Sequence, residues 1–347
     1  MPTVSPRVGR GIAACAGLLL ALTPGVAYAG LGGTTDAAGQ ANTKDPGSGP
    51  SISATVGVQY DKSKNGTSGG GTSVGPLTPV GNWSPPACWY QPTYSPKEMK
   101  AESEQVWSED SPSEEWKSKE KDRYVNGKPY KDFNLDQQGK GYFWQGYSPP
   151  ENGGLPGANS CTDEPFWVPI GQAPPPEHKN AVTPEILAEL AYRQILIPQG
   201  TAQTNPAGTQ TVNLPTWVWM DGADFHPVSV RAYLPDYGVE ATTTATPVSL
   251  HIDPGTSDAQ LFPSSGTCVA GKDGTLGVQY TDGAKGDPPC GVTYLKSTDG
   301  GSYRLTATVT WKISWTGTGQ ATPKALPSGT FGTPQEVTVQ EIQSVNR

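Results

Sequence analysis

Asp221, Asp224 and His226 fall within six consecutive residues directly after Trp219 and Met220. Two carboxylates and an imidazole at that spacing can ligate a metal or divide acid and base roles between them. Asp221-Gly222 is also an ordinary turn dipeptide, so the same residues read first as a polar turn. His251 and Asp253 carry the same two readings. The third histidine, His178, lies in the proline-rich stretch after Pro174-Pro175-Pro176 and reads as a solvated side chain. The adjacent carboxylates Glu114 and Glu115 sit in a charged helix and read as solvated too. No Gly-x-Ser-x-Gly, His-Glu-x-x-His, P-loop or EF-hand pattern occurs. No catalytic residue, metal site or cofactor is therefore assigned; Asp221, Asp224, His226, His251 and Asp253 are the residues whose placement matters most.

Tryptophan supplies the other chemistry. Trp217 and Trp219 share one side of an extended strand, as do Trp311 and Trp315. The first reading is that all four build one core; the alternative is stacking on polysaccharide at the surface. What must position them is a strand whose apolar residues hold every odd position: Leu305, Ala307, Val309, Trp311, Ile313 and Trp315. That period of two marks a strand with one buried face. Further candidate strands at 214–220, 228–233, 239–245, 247–252, 277–280, 291–295 and 336–345 are separated by Gly, Pro and Asp turns. Short strands in that number describe a β-sandwich of immunoglobulin size over 214–347.

The chain has 347 residues, 34% of them hydrophobic, with 43 glycines and 35 prolines, so its buried cores must be small. Residues 1–29 read as a secretory leader: Arg7 and Arg10 at the start, an apolar run over 12–26, and the small-x-small site Ala27-Tyr28-Ala29. No later apolar run approaches the length of a membrane span. The mature product is expected to be secreted, released outside the cell or held at the wall by contacts. Acidic residues outnumber basic ones 32 to 24, which argues against nucleic acid or anionic lipid as a partner.

Cys15 leaves with the leader, and Cys88, Cys161, Cys268 and Cys290 remain, an even count that reads as disulfides in an exported chain. Three pairings are open. The domain division favours Cys88–Cys161 and Cys268–Cys290, contributing about 4 and about 3 kcal/mol on the loop-entropy model.

In chain order, residues 30–50 form a flexible lead and 51–170 a small disulfide-stapled α+β domain. Ser95, Pro96 and Glu98 make a capping box that opens a helix, which Ser111-Pro112 interrupts. The aromatic run Gly141-Tyr142-Phe143-Trp144-Gln145-Gly146-Tyr147 reads as a strand, and together with Phe166-Trp167-Val168 it can pack against Cys88-Trp89-Tyr90. Residues 171–213 form a linker containing a helix over 183–195, capped by Thr183 with Pro184 at its first position and striped by Ile186, Leu187, Leu190, Ala191 and Ile195. Docking between the two domains is its expected place. The fold expected is thus mainly β.

Leu214-Pro215-Thr216-Trp217-Val218-Trp219, Ala245-Thr246-Pro247-Val248-Ser249-Leu250, Cys290-Gly291-Val292-Thr293-Tyr294, Val309-Thr310-Trp311-Lys312-Ile313-Ser314-Trp315 and Glu341-Ile342-Gln343-Ser344-Val345-Asn346 follow in order. This succession resembles a group of exported, uncharacterised actinobacterial proteins. Residues 242–311 look like a divergent PKD domain, an immunoglobulin-like sandwich, with Gly301-Ser302-Tyr303-Arg304-Leu305-Thr306-Ala307-Thr308-Val309 similar to its closing strand. Where such domains carry an aromatic and a Gly-Asp-Gly turn, this chain has His251-Ile252-Asp253-Pro254. The resemblance implies extracellular adhesion or spacing and supplies no catalytic residue. The first functional reading is a non-enzymatic interaction or structural protein at or outside the cell wall, with an extracellular protein or cell-wall polysaccharide as partner. The alternative is a secreted hydrolase with its site in 51–170 or near Asp221 to His226.

Overall fold

The computed structural model describes residues 57–67, 73–110, 112–220, 225–271 and 275–342. The leader, the lead and residues 51–56 lie outside them, as do Asp221 and Asp224. The protein is mainly β, with antiparallel sheets and a few helices.

The larger sheet has the order Gln59–Asp61, Val228–Leu234, Val239–Asp253, Tyr303–Gly317, Gln320–Val337 and Thr78–Pro79, every neighbouring pair antiparallel. Thr267–Val269 pairs with the far end of Val239–Asp253. The odd-numbered residues Leu305 to Trp315 are all buried, as their alternation predicts. Each buried tryptophan removes roughly 150–250 Å² from water, about 4–6 kcal/mol of apolar burial.

Two expected strands, 239–245 and 247–252, form the single strand Val239–Asp253, with a bulge between Pro247 and Ser249 that absorbs the proline. The strand Gln320–Val337 meets the expected strands only at Glu336 and Val337, the start of the expected 336–345. Its prolines and glycines argue against a strand, yet among the described residues its far side is bonded over Ser328 to Thr330, so missing N–H groups elsewhere along it break no described ladder bond there.

The helices follow their caps. α1 (Pro96–Ser108) has the complete box: Glu98 N donates to Ser95 Oγ at 3.4 Å and Ser95 N to Glu98 Oε2 at 2.8 Å. α2 (Glu114–Tyr124) starts at Ser113, after Pro112. α3 (Pro184–Gln194) starts at Thr183, whose hydroxyl accepts from Ile186 N at 3.3 Å. Asn65 closes its other end, donating to Gln194 O at 2.8 Å and accepting from Leu196 N at 2.9 Å.

α3 lies on the larger sheet. Buried Thr243, paired with Trp315, donates to Ala188 O at 2.7 Å, and Lys324 meets Glu185 at 2.6 Å. Its other end meets the earlier segment, where Arg193 donates to the carbonyls of Pro85 and Pro86. A single cluster of buried side chains accordingly runs from Trp89, Tyr90 and Trp144 through Leu187 and Leu190 to Trp311.

The smaller sheet contains Ala259–Phe262, Gly291–Tyr294, Pro215–Met220 and Leu276–Gly277, and Gln203–Asn205 also pairs with Pro215–Met220. The disulfide Cys268–Cys290, Cα atoms 5.7 Å apart, joins it to the larger sheet. Cys88–Cys161, Cα atoms 5.9 Å apart, lies beside a third sheet of Trp89–Tyr94, Gly141–Tyr147 and Phe166–Pro169. Both bridges are the pairs favoured by the domain division.

Candidate functional site

Along Pro215–Met220 the buried positions are Thr216, Val218 and Met220, each no more than 3% exposed. Trp217 and Trp219 therefore project from the opposite, outer face and are half-buried, in contrast to fully buried Trp311 and nearly buried Trp315. The expectation of one core holding all four tryptophans is corrected here. Register is the cause: a strand must turn one set of alternate residues inward, and a slip by one residue exchanges the sets. The inward set is held by Thr216, whose buried hydroxyl donates to Gln210 Oε1 at 2.7 Å, and by Val218 and Met220 in the main core.

The neighbours of the two indoles follow from the pairing. Trp217 stands between Asn205 and Gly291, and Trp219 between Gln203 and Gly277. Directly opposed residues of an antiparallel pair share a face, so both amides lie on the tryptophan side. Tyr280 meets Trp217 edge to face with centroids 5.7 Å apart. Gly277 has φ +82°, and a Cβ there would lie 2.4 Å from Val218 O and 2.8 Å from Trp219 Cα. Only glycine fits that approach, and it brings no side chain over Trp219.

Asp221 and Asp224 follow the tryptophan strand in sequence, outside the described residues, and His226 is exposed while neighbouring Phe225 is buried near Trp311. His251 and Asp253 are exposed on one face of Val239–Asp253. His251 Nδ1 lies 3.0 Å from Thr267 Oγ1, and Asp253 Oδ1 accepts from Gly255 N at 2.9 Å, closing a local turn. Among the described residues no group of three or more His, Cys, Asp or Glu side chains is arranged to hold a metal ion.

Two sets of ionisable side chains flank the segment after Cys161, one around His178, which the sequence reads as solvated, and one around Glu120, which the sequence reading does not single out. His178 is not a freely solvated side chain: its ring stacks on Phe166 with centroids 3.5 Å apart, and Nδ1 lies 2.6 Å from Asp163 Oδ2. Nothing local in the sequence signals this, because Asp163 reaches His178 only through the folding of the stapled loop. On the other side, buried Glu120 is pushed up to about 7 by burial first and then by the Glu164 carboxylate, with Arg123 opposing. Burial also raises Glu164. Glu120 Oε2, Glu164 Oε2 and Arg123 Nε are buried without a hydrogen-bond partner, and adjacent Tyr124 donates to Pro165 O at 2.9 Å. The pair visible in sequence, Glu114 and Glu115, is exposed and bridged to Lys117 and Lys119 at 3.3 and 2.8 Å.

Comparison with protein-family models, with curated proteins and with solved structures finds no match.

Proposed function

We propose that this is an exported, non-enzymatic interaction protein that acts at or outside the cell wall, with its larger and smaller sheets forming an immunoglobulin- or PKD-like sandwich. The observation that carries the reading is the outward orientation of Trp217 and Trp219. Large aromatic side chains on an outer sheet face offer contact area at low entropic cost, the property that recognition surfaces use. The two disulfides support an oxidising compartment. Among the described residues no helix is long and apolar enough to cross a membrane. The test is sedimentation of the purified mature chain with isolated cell wall: retention is expected, and a chain that stays wholly in the supernatant refutes wall contact.

A second reading, a secreted hydrolase, has one observation in its favour. Glu120 and Glu164 are neighbouring carboxylates in the 51–170 segment, and burial with the Glu164 charge pushes Glu120 up to about 7, as a general acid requires. Release of soluble sugars or peptides from wall material that disappears in Glu120→Gln would establish it.

A further inference from the structure

We infer that the outer face around Trp217 and Trp219 is a binding site for a neutral polysaccharide, an inference that rests on the wall-contact reading above. The two indoles occupy alternate positions of one strand, so their origins are about 6.8 Å apart along it. That arrangement presents two aromatic rings in a row to an extended polymer. Pyranose rings have a face of C–H groups that packs on an aromatic ring, and their hydroxyls both donate and accept hydrogen bonds. The amides of Gln203 and Asn205, directly across the ladder from Trp219 and Trp217, offer a carbonyl acceptor and an NH₂ donor each. Aromatic surface beside amide groups thus matches both surfaces of a sugar.

Charge narrows the ligand. The chain carries 32 acidic against 24 basic residues, and its field disfavours polyanions. Among wall polymers that selects uncharged glycans. The strand beside Trp219 brings only the backbone of Gly277 against it, and the indole stays half-buried.

The experiment measures retention of the full mature chain on chitin and cellulose, both neutral, and on polygalacturonate, which is anionic, at low and high salt. Wild type is expected to bind a neutral polymer with little salt dependence and to leave polygalacturonate unbound. Trp217→Ala and Trp219→Ala should each weaken retention about tenfold, Gln203→Ala less, and Trp219→Phe should keep most of it. Tryptophan fluorescence should shift on adding soluble chitin oligosaccharides to wild type. Circular dichroism of each variant verifies that it is folded; a misfolded alanine variant is replaced by its leucine counterpart, which keeps apolar volume without the aromatic ring and should lose retention in the same way. If wall retention survives in the double alanine variant, the site is wrong while the wall-contact reading stands. If wild type binds wall only through a protease-sensitive component, the partner is a protein and the polysaccharide inference fails. If wild type binds neither wall nor any neutral glycan, both fall together.

Discussion

The His178 imidazole lies parallel to the Phe166 ring, 3° from coplanar, with Asp163 at its Nδ1 and Tyr90 edge-on at 5.7 Å. Phe166 in turn contacts Tyr90 and Trp144, so a residue of the linker seals the aromatic cluster beside the Cys88–Cys161 bridge.

Replacing His178 by alanine removes a ring stacked on Phe166 and its contact with the half-exposed Asp163 carboxylate. A loss of about 1–2 kcal/mol is expected. Urea denaturation followed by fluorescence measures it, and an unchanged midpoint would show that the stack contributes nothing to stability.

Glu120 titrates near 7 in the folded protein against about 4.3 for a free side chain. The folded state therefore binds more protons than the unfolded state between those values, and stability falls as pH rises through that window. Glu189, which burial chiefly and then Glu185 raise to about 7, acts in the same direction. Melting temperature should be higher at pH 5 than at pH 8. Glu120→Gln should gain about 1–2 kcal/mol at pH 8 and little at pH 5. A wild-type melting temperature that climbs from pH 5 to 8 would contradict the assignment.

The tryptophans should divide by face. Trp311→Ala empties a fully buried position and is expected to cost about 3–5 kcal/mol. Trp217→Ala and Trp219→Ala, on the outer face, should each cost about 1 kcal/mol or less. Guanidinium melts of the three variants decide between this arrangement and one in which all are core.

Removing Cys268–Cys290 by double serine substitution frees the link between the two sheets and should cost about 3 kcal/mol, and removing Cys88–Cys161 about 4. Differential scanning calorimetry checks both values. A melting temperature unmoved by either double variant would mean that the unfolded chain is already restrained without them.

Much of the framework was legible residue by residue. Ser95 with Glu98, and Thr183, announce helix starts because their side chains satisfy N–H groups that only a helix leaves unpaired, and Pro184 because the first helical position needs no N–H. Gln320–Val337 was not legible, because its prolines are tolerated where its far side has few partners among the described residues, and how many partners a strand has is not written in the strand itself. The site was half legible: alternation puts Trp217 and Trp219 together but is blind to whether their side faces core or solvent.

By itself the sequence determined which segments are helices with caps, that the residues from Leu305 to Trp315 bury one face, and that its cysteines suffice for two bridges, since these depend on neighbours a few positions away. Only the tertiary structure decided that Thr216, Val218 and Met220 turn inward while the indoles between them turn out, and that His178 meets Asp163. Those outcomes are set by registers and contacts between distant segments, where the winning arrangement is the one that fills the shared core and satisfies its buried polar groups.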